Sequence, residues 1–398
     1  MIVILSSLLV SVLLGICINN GNIKKENESE VIQEVIPDNY AGSIVNDINV
    51  PKEIVNLVCE YMNRYYKSLY TLNLYETKGL FIDETSAAIS DNAIKLLIET
   101  RKLYDFDLTL KNGKYCLKFT DFKQDGNKYE VSFIEDDTFN FAFLDNITSS
   151  LKGIENKFVI EKKDNSYKIK SIDKKQDYYI LFLDNNPDNV KVVEDIYDYY
   201  FEALSRNIND DIKSFETKHS EYKSDSEYKI VYDREAAIQY LDKYCLSRNN
   251  AWYDYSLDGG NCQNFASQVL LAGGIVMDYK GSEQWKCYVL DPSEDVEVNE
   301  ENKPEGRSNS WVNVNYFYSY AKDNEGAGLV ADVDADICYA EAGDIVQVGL
   351  VSYSHTTVVS KVIDNHILLS GNTTDMKDYP LEAYVCPKHR LIKILGNS

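Results

Sequence analysis

None of the eight cysteines falls in a CxxC pair, so a zinc ribbon and a thioredoxin-like redox site are both excluded. HExxH is absent as well, which removes the commonest zinc-peptidase pattern. Basic charge is scarce: 41 Lys and Arg stand against 64 Asp and Glu, for a net charge of −23. Phosphate backbones are bound by clustered cations, so no nucleic-acid partner is expected. Docking on anionic lipid is disfavoured for the same reason. The acidic run 291–301 lacks the D-x-D-x-D-G spacing of a calcium hand, and neither a metal nor a cofactor is expected. Long apolar runs are missing beyond residues 1–18, MIVILSSLLVSVLLGICI. That segment reads as a signal peptide or membrane anchor, giving a secreted or extracellular, membrane-anchored chain that meets the membrane only there.

What is present resembles an ordinary globular composition, 44% hydrophobic and 26% charged. A length of 398 residues exceeds one comfortable core, so more than one domain is expected. Residues 19–50 form a polar linker. From Pro51, apolar residues recur at helical spacing, with Ile54, Val55, Val58, Tyr61 and Met62 near one face. A second helix is expected over ISDNAIKLLIETRKL. Alternating segments follow, including a hairpin that turns at Asp164-Asn165-Ser166. Residues 51–180 therefore read as a small α+β accessory domain with no catalytic constellation. Residues 188–227 read as a helix grading into a charged linker, with His219 solvated.

The remaining stretch, 228–398, holds the other three histidines and all three tryptophans. Asp233 is expected to cap a helix over DREAAIQYLDKYCLS. Next comes NCQNFASQVLLAGG, in which Asn261 caps a helix, Cys262 opens it and Gly273-Gly274 end it. Unpaired N–H groups and the helix dipole favour a thiolate at that position. A structural cysteine is the alternative. A thiol nucleophile also needs a base with an orienting partner. His355 starts the β-branched run HTTVVSKV, and a two-residue turn at Asp364-Asn365 pairs Ile363 with His366. In that register His355 and Asn372 are diagonal neighbours on one face, about 7–8 Å apart at the backbone. A slip of one residue would separate them. His366 at the turn and His389 beside two basic residues read as solvated or locally hydrogen-bonded.

These motifs, with SWVNVNYFYSYA, GDIVQV and NTTDMKDYPL in the same order, resemble the amidase-domain proteins of Gram-positive bacteria. That family is similar to the papain-like cysteine hydrolases that include NlpC/P60 and CHAP enzymes. The resemblance implies an α+β fold: a papain-like domain whose Cys-bearing helix packs on an antiparallel sheet. It implies Cys262 as nucleophile, His355 as base and Asn372 in the third position, with Asp375 as rival orienter. Asn261 and Gln268 fall on matched positions. Tyr253 and Tyr255 are candidates for the oxyanion loop, and Trp311 for the cleft wall. The implied activity is amide hydrolysis through a thioester, with a peptide or peptidoglycan substrate. Acyl transfer by the same groups and a non-catalytic cell-wall or protein-binding module are the alternatives.

Overall fold

The structure, a computed structural model, describes residues 40–218, 220–280, 284–288, 306–324 and 326–398. The expected export segment, His219 and the acidic run 291–301 lie outside the described residues. No helix among the described residues is long and apolar enough to cross a membrane.

The first half contains β1 (Tyr40–Val45), α1 (Lys52–Thr71), α2 (Glu84–Arg101), β2 (Leu110–Asp125), β3 (Lys128–Phe141), β4 (Ser149–Lys163), β5 (Ser166–Lys174), α3 (Asp177–Asp184) and α4 (Val190–Thr217). The apolar stripe of α1 is inward: Ile54, Val55, Val58, Tyr61 and Met62 are all buried. Asp164 and Asn165, at φ 48° and 64°, make the left-handed turn that folds β5 back on β4. β1 lies inside the expected linker 19–50. It pairs in parallel with β2, and Gly42 permits this because a Cβ there would sit 2.4 Å from the Tyr115 ring. α4, in the other expected linker, packs against α2 and buries Val193, Tyr197, Tyr200, Leu204 and Ile208.

The second half contains β6 (Ile230–Val231), α5 (Arg234–Tyr244), α6 (Cys262–Ala272), β7 (Cys287–Tyr288), β8 (Gly306–Arg307), α7 (Asn309–Val312) and α8 (Val314–Asp323). Six strands follow: β9 (Leu329–Ala335), β10 (Ile345–Gly349), β11 (Tyr353–Ile363), β12 (His366–Gly371), β13 (Asp375–Pro380) and β14 (Lys388–Asn397). Asp233 caps α5 as expected, accepting from the Ala236 N–H at 3.0 Å.

Twelve strands join in one mixed sheet, ordered β1-β2-β3-β4-β13-β12-β11-β10-β14-β6, with β5 on β4 and β9 on β14. The halves meet where β4 pairs with β13, Lys152 opposite Asp375 and Ser150 opposite Lys377. Strand β10 is buried on both faces and alternates between two cores. Ile345 faces a core shared with α5, α6 and α8, whereas Val346 and Val348 join Val359, Leu369 and Leu391 in the core of the first half. The fold is mixed α+β, as the sequence pattern implies. The stretches 51–180 and 228–398, expected as separate units, share one sheet and one core.

Candidate active site

Cys262 is the first residue of α6, and Asn261 occupies the N-cap position, its carbonyl accepting from the Phe265 N–H at 2.9 Å. The Asn261 side chain does not cap the helix, contrary to expectation. Its Oδ1 instead accepts from Asn264 Nδ2 at 2.8 Å and from the Tyr255 N–H at 3.2 Å. The head of the helix is thereby left to the thiol, and the Gln263 N–H donates to the Cys262 sulfur. At the other end, Gly274 alone is left-handed, at φ 88°. Its N–H reaches the Leu271 carbonyl and that of Ile275 reaches Leu270, which is a Schellman closure.

His355, near the start of β11, is hydrogen-bonded to the Cys262 sulfur, and the Thr356 N–H donates to the same atom. Burial alone would push the thiol up. The charge and hydrogen bond of His355, with the two backbone donors, outweigh it and hold Cys262 below the ordinary thiol value. Burial likewise draws the imidazole down, but the Cys262 charge, its hydrogen bond and the more distant Asp177 raise His355 above its ordinary value. Both shifts favour the same species, a thiolate beside an imidazolium.

Asn372 is buried at 1% exposure and sits elsewhere in the network. Its Nδ2 donates to the Cys245 carbonyl at 2.8 Å, and its Oδ1 accepts from Asn261 Nδ2 at 3.2 Å. The physical reason lies in β11. The hairpin begins in the expected register, Ile363 opposite His366 and Val362 opposite Ile367, but a bulge between Val359 and Lys361 shifts it by one. Val358 then pairs with Ser370. Continued toward the strand start, that register sets Thr356, not His355, on the face of Asn372. Asn372 and its neighbour Thr373, whose Oγ1 accepts from the Asn261 N–H at 2.9 Å, brace the residue preceding the nucleophile.

Asp375, the rival orienter, is held by Arg248 Nη1 at 2.7 Å, a contact that ties β13 to the loop before α6. Tyr253 donates to Asp258 at 2.8 Å, and Tyr255 is buried with Arg307 over its ring. Gln268 accepts from the Tyr240 hydroxyl at 2.7 Å. Trp311 is wholly buried: its indole N–H donates to Asn264 Oδ1 at 2.8 Å and its ring packs on Trp252 and Trp285. Gln268 and Trp311 therefore belong to the packing behind α6 instead of a cleft wall. His366 bonds Glu382 nearby in the chain at 2.9 Å, whereas His389 bonds Asp211 of α4 at 3.1 Å, a contact between the two halves and not a local one. Among the described residues no group of three His, Cys, Asp or Glu is arranged to hold a metal ion.

A cavity of about 330 Å³ opens beside His355. Ser354, His355, Thr373 and Thr374 line it from the second half, while Arg101, Asp137, Asp177 and several tyrosines line it from the first. No local pattern in residues 51–180 signals this contribution, because the pairing of β4 with β13 creates it.

No solved structure matches the chain. The chain is 32% identical over 162 residues to the uncharacterized protein YhbB of Bacillus subtilis (strain 168). That similarity covers 37% of this chain and 43% of the relative, so less than half of the relative's length is represented. Residues 231–395, which contain Cys262, His355 and Asn372, match the family described as "Putative amidase domain", and this points to a hydrolase acting on amides.

Proposed function

We propose that the chain is a cysteine amidase in which Cys262 attacks an amide carbonyl and His355 manages the proton. The observation that carries this reading is the hydrogen-bonded Cys262–His355 pair at the head of α6, with the thiol lowered and the imidazole raised. The thiolate adds to the carbonyl carbon, and the resulting oxyanion meets donors from the head of the helix, the Cys262 N–H first among them. His355 then gives its proton to the departing amine as the C–N bond breaks, leaving a thioester. Water, deprotonated by the now neutral His355, adds to the thioester and releases the acid and the thiolate. Asn372 acts on this scheme indirectly, by bracing Asn261. A papain-like arrangement is consistent with a Cys-bearing helix on an antiparallel sheet. Action on peptidoglycan peptides outside the cell rests on the apolar segment 1–18 together with the family resemblance. A pure binding module has no use for a thiol poised in this way, which speaks against that alternative.

The test is digestion of purified peptidoglycan fragments by the full chain, with products read by mass spectrometry. New paired amine and carboxyl ends are expected with the wild type, and none with Cys262→Ala. Cleavage that survives Cys262→Ala would remove the proposed nucleophile.

A further inference from the structure

Tyrosines aside, the cavity beside His355 is lined by five residues with acidic or basic side chains, and four of them have their electrostatic partners in the protein. Lys175 pairs with Asp173 at 3.0 Å. Asp177 accepts from the Tyr384 hydroxyl at 2.9 Å and acts on the His355 charge. His355 faces Cys262. Asp137 shares the Tyr66 hydroxyl with Glu135, and a phenol carries a single proton for two carboxyl groups. The ammonium of Lys174 pairs with Glu135 of this carboxyl pair. Burial and the nearby Glu135 charge raise the Asp137 carboxyl well above the usual range.

Arg101 is the exception. It is 2% exposed at the last residue of α2, and its guanidinium cannot shed its charge. Nη2 donates to the Tyr379 hydroxyl at 3.3 Å, and the Phe141 ring lies 5.3 Å away. Among the described residues, Nε and Nη1 are buried with no acceptor, and no carboxylate pairs with the group. Helix C-terminal carbonyls and one aromatic face compensate a buried cation only weakly. A fully charged fork without a partner is costly unless something else pairs with it. Around it the walls are apolar and aromatic, including Leu69, Leu97, Phe139 and Tyr178.

We infer that this cavity binds the acyl part of an amide substrate that bears a free carboxylate, with the Arg101 fork as its anchor, so that the adjoining carbonyl is presented to Cys262. The inference rests on the amidase reading and adds the substrate class to it. It also gives residues 51–180 a role: they supply the specificity pocket of a nucleophile carried by the other half.

The test uses the full chain and two probes of equal shape, hippurate and its neutral amide, hippuramide. Binding is read as the shift in thermal unfolding and as slowing of Cys262 alkylation by iodoacetamide. Hippurate is expected to bind about tenfold to a hundredfold more tightly than hippuramide, the range of a charge-assisted fork. In Arg101→Met that preference disappears. If the Met variant does not fold, Arg101→Gln serves the same comparison. A preference that is absent in the wild type, or that survives loss of the guanidinium, overturns the inference. Alkylation of the wild type without any probe reads the Cys262–His355 pair separately. A low-titrating thiol without acid preference therefore sinks the carboxylate pocket alone. An ordinary thiol sinks the amidase reading, and the thermal shift still judges the pocket.

Discussion

Burial makes a thiol harder to ionise, and most of the buried cysteines here follow that rule. Cys59 is pushed up to about 12 and Cys245 to about 11, both by desolvation, and burial also raises Cys386 well above the ordinary thiol value. Cys262 is as buried as they are, yet it moves down, because His355, the Thr356 N–H and the Gln263 N–H all face its sulfur. The difference is the surroundings, since the residue type is the same. Asn372 provides a second case at this scale. Its amide satisfies the Cys245 carbonyl and Asn261, so Asn372→Ala leaves buried polar groups without partners and is expected to cost about 1–3 kcal/mol of stability. The pH dependence of Cys262 alkylation should be unchanged in that variant. A profile shifted as far as in His355→Ala would instead make Asn372 the orienter of the imidazole.

At the scale of elements, legibility in the sequence depended on whether a feature was local. Helix α6 was readable because the apolar positions after Cys262 have helical spacing and a glycine pair follows. The turn of the β11–β12 hairpin was readable because Asp364 and Asn365 tolerate left-handed backbone, at φ 50° and 71°. The bulge at Ser360 was not. It sits in a β-branched run that looks uninterrupted, and the Ser360 hydroxyl bonds Asp378 at 2.7 Å, eighteen residues away on β13. Such a contact has no signature in the run itself, yet it decides which side of the strand faces Asn372. The side chain of Asn261 is a similar case: its residue type announces a cap, but its partners Tyr255 and Asn264 claim the oxygen.

For the whole molecule, the sheet continues from one half into the other, and that continuity changes what can be expected of a fragment. Residues 228–398 alone would expose Val346, Val348, Val359, Leu369 and Leu391, all buried against the first half, and would leave β13 without β4. Losing that burial removes well over a kcal/mol per large side chain, and an unpaired apolar edge invites aggregation. The isolated fragment is therefore expected to bind ANS and to lack a cooperative thermal transition, whereas the full chain unfolds cooperatively. A fragment that melts as sharply and as high as the full chain would contradict the shared core. The pocket beside His355 belongs to this scale too, since its walls come from both halves.

The central claim is the thiolate–imidazolium pair, and the most direct measurement is the rate of Cys262 alkylation by iodoacetamide against pH, in the full chain and in His355→Ala. The other thiols are followed by peptide mapping. The thiol should titrate below the unperturbed value of about 8.5, so that reactivity persists as pH falls toward neutrality, and the midpoint should move up once the imidazole is removed. A Cys262 that titrates at or above the ordinary value, or whose profile ignores His355, would contradict the account.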